Sequence, residues 1–485
     1  MLINLKDKKL FEKNYKPVKV IFFLDKRSDF AKKITEKELK NIKEGEFEIF
    51  NFKNGRWVFY NLGESKKIDL KKLRLFIRKL VRFLKGREVE FSDWYIENLL
   101  VLRVSEKNKL IEEIVKNILL ANYDFDKYKS KKGKKIKAVN LFLSSSSKYK
   151  KYLKEARVIA ESVNFVRDLA NIPGSEMTPK KLTQIAKKEL AKIKNVSVRV
   201  FDKKRIKKEK MGGVLGVSRG SKEEPRFIIA KYSGNKKSKN IDLAFVGKGV
   251  TFDSGGLNIK LGDSMGDMYM DMAGAGAVIG ALRALALLKL PLNIVVLVPA
   301  VENMPSSESY RPGDVLKAYN GKTIEVLNTD AEGRIILADA LSYAVKNFKP
   351  KIIIDVATLT GAAMVALGQR IAAVFTNKEK LEETLKKIGL EAGDYVWSMP
   401  LWDEYQEDIK GSFGDIQNIA KTRYGGAITG AMFLKNFVED RNIWIHLDIA
   451  PTMTSIDSNY LAKGATGAGT NFLIELAKNY KKLWA

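Results

Sequence analysis

After residue 240 the sequence alternates between short apolar runs and segments with helical spacing. Runs that are apolar at nearly every position are typical of strands buried on both faces, and alternation with helices is typical of a mostly parallel or mixed sheet flanked by helices. The predicted strands are Leu243–Val246, Ile294–Val298, Ile352–Val356, Ala372–Phe375 and Ile443–Leu447. The predicted helices are Ala275–Leu288, Arg334–Val345, Glu379–Leu390, Ala431–Val438 and Asn471–Tyr480. The fold class is therefore α/β.

The first 150 residues form a second, smaller α/β pattern. Asn54-Gly55 separates two alternating segments within Glu46–Tyr60, which predicts a β-hairpin. Lys71–Leu84 carries apolar residues at helical spacing, which predicts a helix with one face on a core. We predict two domains: a basic N-terminal α/β domain over 1–150 and a larger C-terminal domain over 171–485, joined by a helix over 151–170.

Two residue counts exclude several kinds of site. The 485 residues include no Cys and a single His, His446. Thiolate nucleophiles, iron–sulfur clusters and Cys-based or multi-histidine zinc sites are therefore excluded. A bound metal would have to be held mainly by carboxylates.

No segment predicts a membrane-spanning helix. The longest strongly apolar stretch, near Leu290–Val301, is shorter than the roughly 18 residues a transmembrane helix needs. Charged residues also precede any apolar region at the N-terminus, which argues against a signal peptide. We expect a cytoplasmic protein.

The net charge of +30 is concentrated in the first half of the chain. Residues 1–150 hold 38 basic and 20 acidic side chains, and a basic run spans Lys127–Lys137. Such a surface could attract nucleic acid without sequence specificity. A solvated lysine-rich surface is the favoured interpretation, and a DNA-binding or architectural role is the alternative function.

Charged residues cluster in Gly-rich segments next to the predicted strands. Lys248, Asp253 and Lys260 lie in GKGVTFDSGGLNIK after the first strand, and Asp271 lies just before a helix. In α/β sheets, reactive groups gather at the carboxyl ends of the strands. The Gly-Lys pair does not fit a phosphate-binding loop, because Gly249 follows the lysine where that loop has Ser or Thr.

The acids suggest a two-metal site. Asp330 and Glu332 would project to the same side if Leu327–Glu332 were extended, with Gly333 allowing a turn into the next helix. If Asp253 and Asp271 converge on them, four negative charges require cations, and two divalent ions would balance them. A two-metal phosphoesterase shares this feature and remains open at this point.

Three basic residues accompany the acids. Lys248 could bind a metal as a neutral amine, although deprotonation from a pKa near 10.4 costs roughly 4.6 kcal/mol at pH 7. Lys260 and Arg334 would stay charged and stabilise negative charge on a substrate oxygen.

Three motifs carry a resemblance to a known family. They are NTDAEGR at Asn328–Arg334, GKGVTFDSGG at Gly247–Gly256 and DVATLTGA at Asp355–Ala362. With them, the sequence resembles the M17 family of cytosolic leucyl aminopeptidases from about Val163 to the C-terminus. The N-terminal domain matches that family only in length and α/β character.

The resemblance implies a set of metal ligands and catalytic residues. In the family two divalent ions, zinc or manganese with magnesium or cobalt as alternatives, are bound at the positions of Lys248, Asp253, Asp271, Asp330 and Glu332. Lys260 matches the lysine that polarises the scissile carbonyl, and Arg334 matches the arginine that holds a bicarbonate ion as general base. His446 matches a strand residue that is not a ligand, and we interpret it as structural.

The resemblance also implies a substrate pocket and an assembly. The pocket for the first residue of a peptide would be formed by Met268, Thr358, Leu359, Gly361, Ala450 and Met453, and it should accept Leu or Met. Pro451 stands where the family generally has Gly, which could reshape the pocket rim. The family's homohexamer is the expected assembly.

Overall fold

The computed structural model describes residues 1–13, 17–24, 36–53, 55–103 and 106–483. The chain divides into two compact units. The first comprises Met1–Glu161 and Ile456–Lys463, and the second comprises Ser162–Ser455 and Gly464–Ala485. The division falls within the long helix that begins at residue 150. The limits predicted for the two domains remain predictions.

The first unit contains a six-stranded sheet. Its strands are β1 Leu2–Asp7, β2 Val18–Phe23, β3 Phe47–Phe52, β4 Gly55–Asn61, β5 Phe91–Tyr95 and β6 Ala138–Leu143. They lie in the order β1-β6-β5-β2-β4-β3. Only the β3–β4 pair is antiparallel among these described strands. This pair is the predicted hairpin, and Asn54 itself lies outside the described residues.

The helices of the first unit are α1 Glu36–Asn41, α2 Leu70–Gly86, α3 Lys107–Asn122 and the first half of α4 Lys150–Ala170. The predicted helix near Lys71–Leu84 is confirmed as α2. Asp69 caps it by accepting a hydrogen bond from the Lys72 N–H at 2.7 Å. A buried ion pair, Arg74 Nε to Glu113 Oε2 at 2.6 Å, joins α2 to α3.

The basic run Lys127–Lys137 lies mostly at the surface of the first unit. Several of its lysines form ion pairs with nearby acids: Lys134 with Glu88, Lys135 with Asp126 and Lys137 with Glu90. Such exposed pairs contribute little to stability. They reduce the positive charge that the sequence count assigns to this run.

The second unit contains a nine-stranded sheet, which is mixed as predicted and includes the five predicted strands. Its strands are β7 Val196–Phe201, β8 Arg226–Ser233, β9 Leu243–Gly247, β10 Gly249–Asp253, β11 Asn293–Asn303, β14 Ile352–Ala357, β15 Ala372–Thr376, β16 Val396–Ser398 and β18 Ile443–Asp448. The main order is β16-β15-β18-β14-β9-β11-β8-β7, and β10 pairs with β11. The four central strands, β18, β14, β9 and β11, are parallel. A small second sheet contains β12 Val315–Lys317, β13 Thr323–Glu325 and β17 Ile416–Gln417.

Helices cover both faces of the large sheet. They are the second half of α4, α5 Pro179–Leu190, α6 Lys203–Lys208, α7 Gly212–Val217, α8 Ala273–Leu287, α9 Glu332–Phe348, α10 Gly361–Leu367, α11 Glu382–Ala392, α12 Gly426–Lys435 and α13 Thr470–Lys478. Ala244 and Val246 of β9 share a core with α7, α9 and α12. A side chain at Gly247, on the opposite face, would meet α8.

One helix differs from the prediction in extent, and a second lies in a stretch whose composition would suit a membrane span. The predicted Ala431–Val438 is α12 Gly426–Lys435, which starts directly after Gly425 in a left-handed conformation with φ of +62°. The stretch Gly262–Leu287, which contains α8, is long and apolar enough to cross a membrane by composition, but 89% of its apolar window is buried. This burial is typical of a core helix.

Candidate active site

Several predicted site residues lie at the carboxyl ends of the parallel strands. Lys248 directly follows β9, and Asp253 is the last residue of β10. The segment Thr358–Gly361 follows β14, and Ala450 and Met453 follow β18. The sheet therefore gathers segments that are far apart in the sequence at one edge.

The segment that contains Asp330 is a turn, so the expectation of an extended Leu327–Glu332 is wrong. Asp330 lies in the turn, and Glu332 is already the first residue of α9. The Asn328 side chain accepts a hydrogen bond from the Asp330 N–H at 2.7 Å, which favours a turn over a strand. Gly333 lies inside the helix, where it leaves space for the side chain of Lys248.

Three carboxylates nevertheless converge as the sequence suggests. One oxygen from each of Asp253, Asp330 and Glu332 lies within 4.8 Å of the others. Asp271 joins this group through Lys248, whose Nζ lies 2.9 Å from Asp271 Oδ1 and 2.8 Å from Glu332 Oε1. Lys248 Nζ also donates a hydrogen bond to the Thr358 carbonyl at 2.8 Å.

Lys260 lies on the other side of the carboxylates. Its Nζ is 2.8 Å from Asp253 Oδ2 and 2.5 Å from Asp330 Oδ1. Each lysine therefore joins two of the four predicted acids. Lys248 joins Asp271 to Glu332, and Lys260 joins Asp253 to Asp330.

Burial and mutual repulsion perturb these groups. Burial raises the pKa of Asp271 well above its usual range, and the neighbouring Glu332 raises it further. The pKa values of Asp330 and Glu332 are also raised, first by burial and then by the charge of Asp253. Burial alone would lower the pKa of Lys248, but Asp271, Glu332 and Asp253 together raise it. The ionised carboxylates therefore depend on positive charge beside them.

Neighbouring polar groups orient two of the carboxylates. Asp253 Oδ1 accepts hydrogen bonds from Asn303 Nδ2 at 2.8 Å and from the Gly255 N–H at 3.0 Å. Asp271 Oδ1 accepts from the Thr358 hydroxyl at 2.6 Å. The second oxygen of Asp271 is buried and has no hydrogen-bond partner among the described residues. That oxygen is available to a ligand.

All predicted site residues except Glu332 line one cavity of about 310 Å³. Glu332 lies behind the lining and is 1% exposed. Six further lining residues were not predicted from the sequence: Asn328, Ala331, Thr360, Ala362, Met364 and Gly426. Five of these belong to the motifs at Asn328–Arg334 and Asp355–Ala362 or lie next to them, and their position in these motifs was a usable signal.

Arg334 presents its guanidinium to the cavity from the first turn of α9. Its NH1 donates to the Asn418 carbonyl at 2.8 Å, and its buried Nε has no acceptor within the described part of the chain. Burial lowers the pKa of Arg334 to about 10, so the guanidinium stays positive at neutral pH. Arg334 can therefore bind an anion.

His446 is structural, in agreement with the sequence interpretation. It is fully buried in β18 and its Nδ1 lies 2.6 Å from Asp355 Oδ1. Its ring stacks between Trp444 and Phe375. Pro451 is buried in a 3₁₀ turn and does not line the cavity, although the adjacent Ala450 does.

These residues fit divalent cations. The carboxylates supply hard oxygen donors, and the buried Asp271 oxygen without a hydrogen-bond partner in the described residues is available to a ligand. Burial raises the pKa of Asp271, and Glu332 and Asp253 raise it further, so a bound cation would favour its ionised form. Cations held at a site of this kind can activate a water molecule for hydrolysis.

Comparison with known proteins identifies the family. A sequence model described as the catalytic domain of the cytosol aminopeptidase family matches residues 164–474. The chain belongs to the cytosol aminopeptidase family. It is therefore an aminopeptidase, a hydrolase that acts on peptides. This result favours the peptidase function over the DNA-binding and phosphoesterase alternatives.

Curated relatives agree over most of the chain. A protein of Persephonella marina named probable cytosol aminopeptidase is 43% identical to this chain, over 84% of this chain and 82% of the relative. The corresponding protein of Clostridium tetani is 39% identical over 94% of this chain and 95% of the relative. The corresponding protein of Aquifex aeolicus is 42% identical over 92% of this chain and 90% of the relative. The similarity thus includes much of the N-terminal unit, which the sequence analysis related to the family only by length and class.

Proposed function

We propose that the chain is a two-metal leucyl aminopeptidase that removes apolar N-terminal residues from peptides. The observation that carries this proposal is the convergence of Asp253, Asp330 and Glu332 within 4.8 Å, with Lys248 and Asp271 adjacent. Asp253, Asp271 and Asp330 line a cavity that Lys260 and Arg334 also line, and Glu332 lies directly behind this lining.

Two sets of residues would hold the ions. Asp253, Asp330 and Glu332 would hold one, and the second would be held by Lys248, Asp253, Asp271 and Glu332. When bound, such ions lower the pKa of a water molecule and polarise a carbonyl. Zinc or manganese is proposed, with magnesium or cobalt as alternatives. Because the carboxylates raise the pKa of Lys248, its amine becomes a ligand only if coordination displaces the proton.

The remaining charged residues would act on the substrate. The Lys260 ammonium faces the cavity between Asp253 and Asp330, so it can stabilise negative charge on the oxygen of the scissile carbonyl. The pKa of Lys260 is raised by Asp253 and Glu332 despite partial burial, so it stays protonated during the reaction. Arg334, with its unpartnered Nε, would hold the bicarbonate ion.

The apolar part of the cavity would hold the side chain of the first residue. Met268, Ala450 and Met453 contribute apolar surface, and Gly361 leaves space beside Thr358 and Leu359. These apolar lining residues support a preference for Leu or Met.

The cellular location and assembly are part of the proposal. The relatives' common name supports a cytoplasmic location. Large exposed apolar side chains, among them Leu261 at 80%, Val365 at 90% and Phe413 at 95%, support contacts between copies, and we propose a homohexamer. Sedimentation at six times the chain mass of 54.7 kDa would be the expected result.

The activity is tested with leucine p-nitroanilide and added manganese. Hydrolysis by the wild type is expected, together with its loss in Asp330→Ala and Glu332→Ala without unfolding. Glu308→Ala, an exposed acid outside the cavity, is the control and should keep full activity. Inactivity of the wild type on leucyl, methionyl and alanyl substrates with every proposed metal would refute the proposal.

A further inference from the structure

Asn418 is a fully buried residue that directly follows β17. Its side chain and its carbonyl contact groups that are 84 to 91 residues away in the sequence. Its own N–H donates to the Glu325 carbonyl at 2.9 Å, which ties it to the end of β13. It does not line the cavity. No motif in the sequence distinguishes it.

The Asn418 side chain uses its full hydrogen-bonding capacity on one turn. Its Oδ1 accepts from the N–H groups of Leu327 at 2.8 Å and Asn328 at 3.3 Å. Its Nδ2 donates to the carbonyls of Asn328 at 2.6 Å and Ala331 at 3.3 Å. An amide offers two acceptor sites and two donors, and all four are used here.

The turn held in this way carries Asp330. Residues 327–331 form neither helix nor strand, so bonds from side chains fix their conformation. Asn418 bonds the main chain on both sides of Asp330, at Asn328 and at Ala331. A shift of this turn would move the Asp330 carboxylate relative to Asp253 and Glu332.

The main chain of Asn418 contacts a second group of the site. Its carbonyl accepts the hydrogen bond from Arg334 NH1 at 2.8 Å. The same residue therefore fixes the turn that presents a carboxylate and the guanidinium that faces the cavity. No other residue in the described ranges makes both contacts.

We propose that Asn418 is a positioning residue for the reaction: it fixes the location of the Asp330 carboxylate and thereby the geometry of the metal site. The inference rests on the proposed function. Replacing a residue that hydrogen-bonds and orients a metal ligand typically costs 10- to 100-fold in metal affinity or activity. We expect a loss of activity of that size when the Asn418 amide is altered.

The informative change is Asn418→Asp, which keeps the shape and the two acceptor contacts. It places an oxygen against the carbonyls of Asn328 and Ala331, where the amide donates. Asn418→Ser is the second variant, in case the aspartate prevents folding. Asn377→Ala is the matched control, because Asn377 also bridges main-chain groups, those of Asn442 and Trp444, but lies away from the cavity.

The variants are compared by kcat and KM for leucine p-nitroanilide, by retention of metal against a chelator, and by the visible spectrum of the cobalt-loaded protein. We expect the Asn418 variants to lose about 10- to 100-fold in kcat with a smaller change in KM, to release metal faster and to shift the cobalt spectrum. Asn377→Ala should keep the wild-type kcat and spectrum even if it unfolds at a lower temperature.

Folded Asn418 variants with wild-type kcat, metal retention and cobalt spectrum would overturn the inference while leaving the proposed function intact. The same conclusion follows if activity falls only in proportion to the unfolded fraction. A wild type that neither binds cobalt nor hydrolyses any aminoacyl substrate would overturn the proposed function and this inference together.

Discussion

Replacing Gly333 with alanine should reduce catalytic activity while leaving the stability of the fold nearly unchanged. Gly333 lies in the first turn of α9, between Glu332 and Arg334. A Cβ at this position would lie 2.5 Å from Lys248 Cε, 2.7 Å from its Nζ and 2.8 Å from its Cδ. Carbon atoms in contact prefer about 3.5–4.0 Å, so the Lys248 side chain must retreat by about 1 Å.

The effect on stability should be small. The displaced atoms are the far end of a flexible side chain, and alanine is favoured over glycine within a helix by up to about 1 kcal/mol. We therefore expect the melting temperature to change by no more than a few degrees.

The effect on activity should be large. Lys248 Nζ must leave its contacts of 2.9 Å with Asp271 and 2.8 Å with Glu332. A misplacement of about 1 Å can cost on the order of 10²-fold in rate, so kcat/KM for leucine p-nitroanilide should fall by about that factor. Gly86→Ala is the control, because apart from its chain neighbours and the backbone of α2 no described atom lies within 4 Å of its Cβ position.

The reasoning is refuted if folded Gly333→Ala has wild-type kcat/KM. It is also refuted if the variant loses stability and activity in parallel, because the clash would then distort α9 instead of moving Lys248.

Two other substitutions test the surroundings of the site. Burial raises the pKa of Asp339 in α9 to about 7, although its carboxylate accepts hydrogen bonds from the N–H groups of Val214 and Tyr319. Between the unfolded-state and native-state pKa values of Asp339, the native state binds more protons than the unfolded state. The free energy of unfolding of the wild type, relative to that of Asp339→Asn, should therefore fall by about 2 kcal/mol from pH 5 to pH 7. Urea titrations of both proteins that show no such trend would contradict this prediction. Ala450→Leu should fill the apolar part of the cavity and lower kcat/KM for leucyl relative to alanyl substrates by about 10-fold or more. If a substrate panel shows the wild-type ratio of the two kcat/KM values, Ala450 does not contact the side chain of the substrate's first residue.

Much of the fold follows from local pattern. The apolar run Ile352–Val356 is β14 and the helical spacing of Lys71–Leu84 is α2, because periodicity and burial are linked within a single element. The sequence also places Asp253 in a Gly-rich segment after a strand and Asp271 just before a helix, and the structure has Asp253 at the end of β10 and Asp271 two residues before α8. The conformation of Leu327–Glu332 was not predictable by the same rule, since the side chain of Asn328 favours a turn there.

The composition and motifs by themselves determined the kind of chemistry: no thiolate or multi-histidine site, a cluster of acids, and the family. The tertiary structure decided which groups meet. The order β18-β14-β9-β11 brings Lys248 beside Thr358, 110 residues away, and the small sheet brings Asn418 to the turn of Asp330. Periodicity records how each segment faces a core, but it carries no information on which strand lies next to it. The pairing of each lysine with its two acids and the role of Asn418 therefore emerge only when the sheets are assembled.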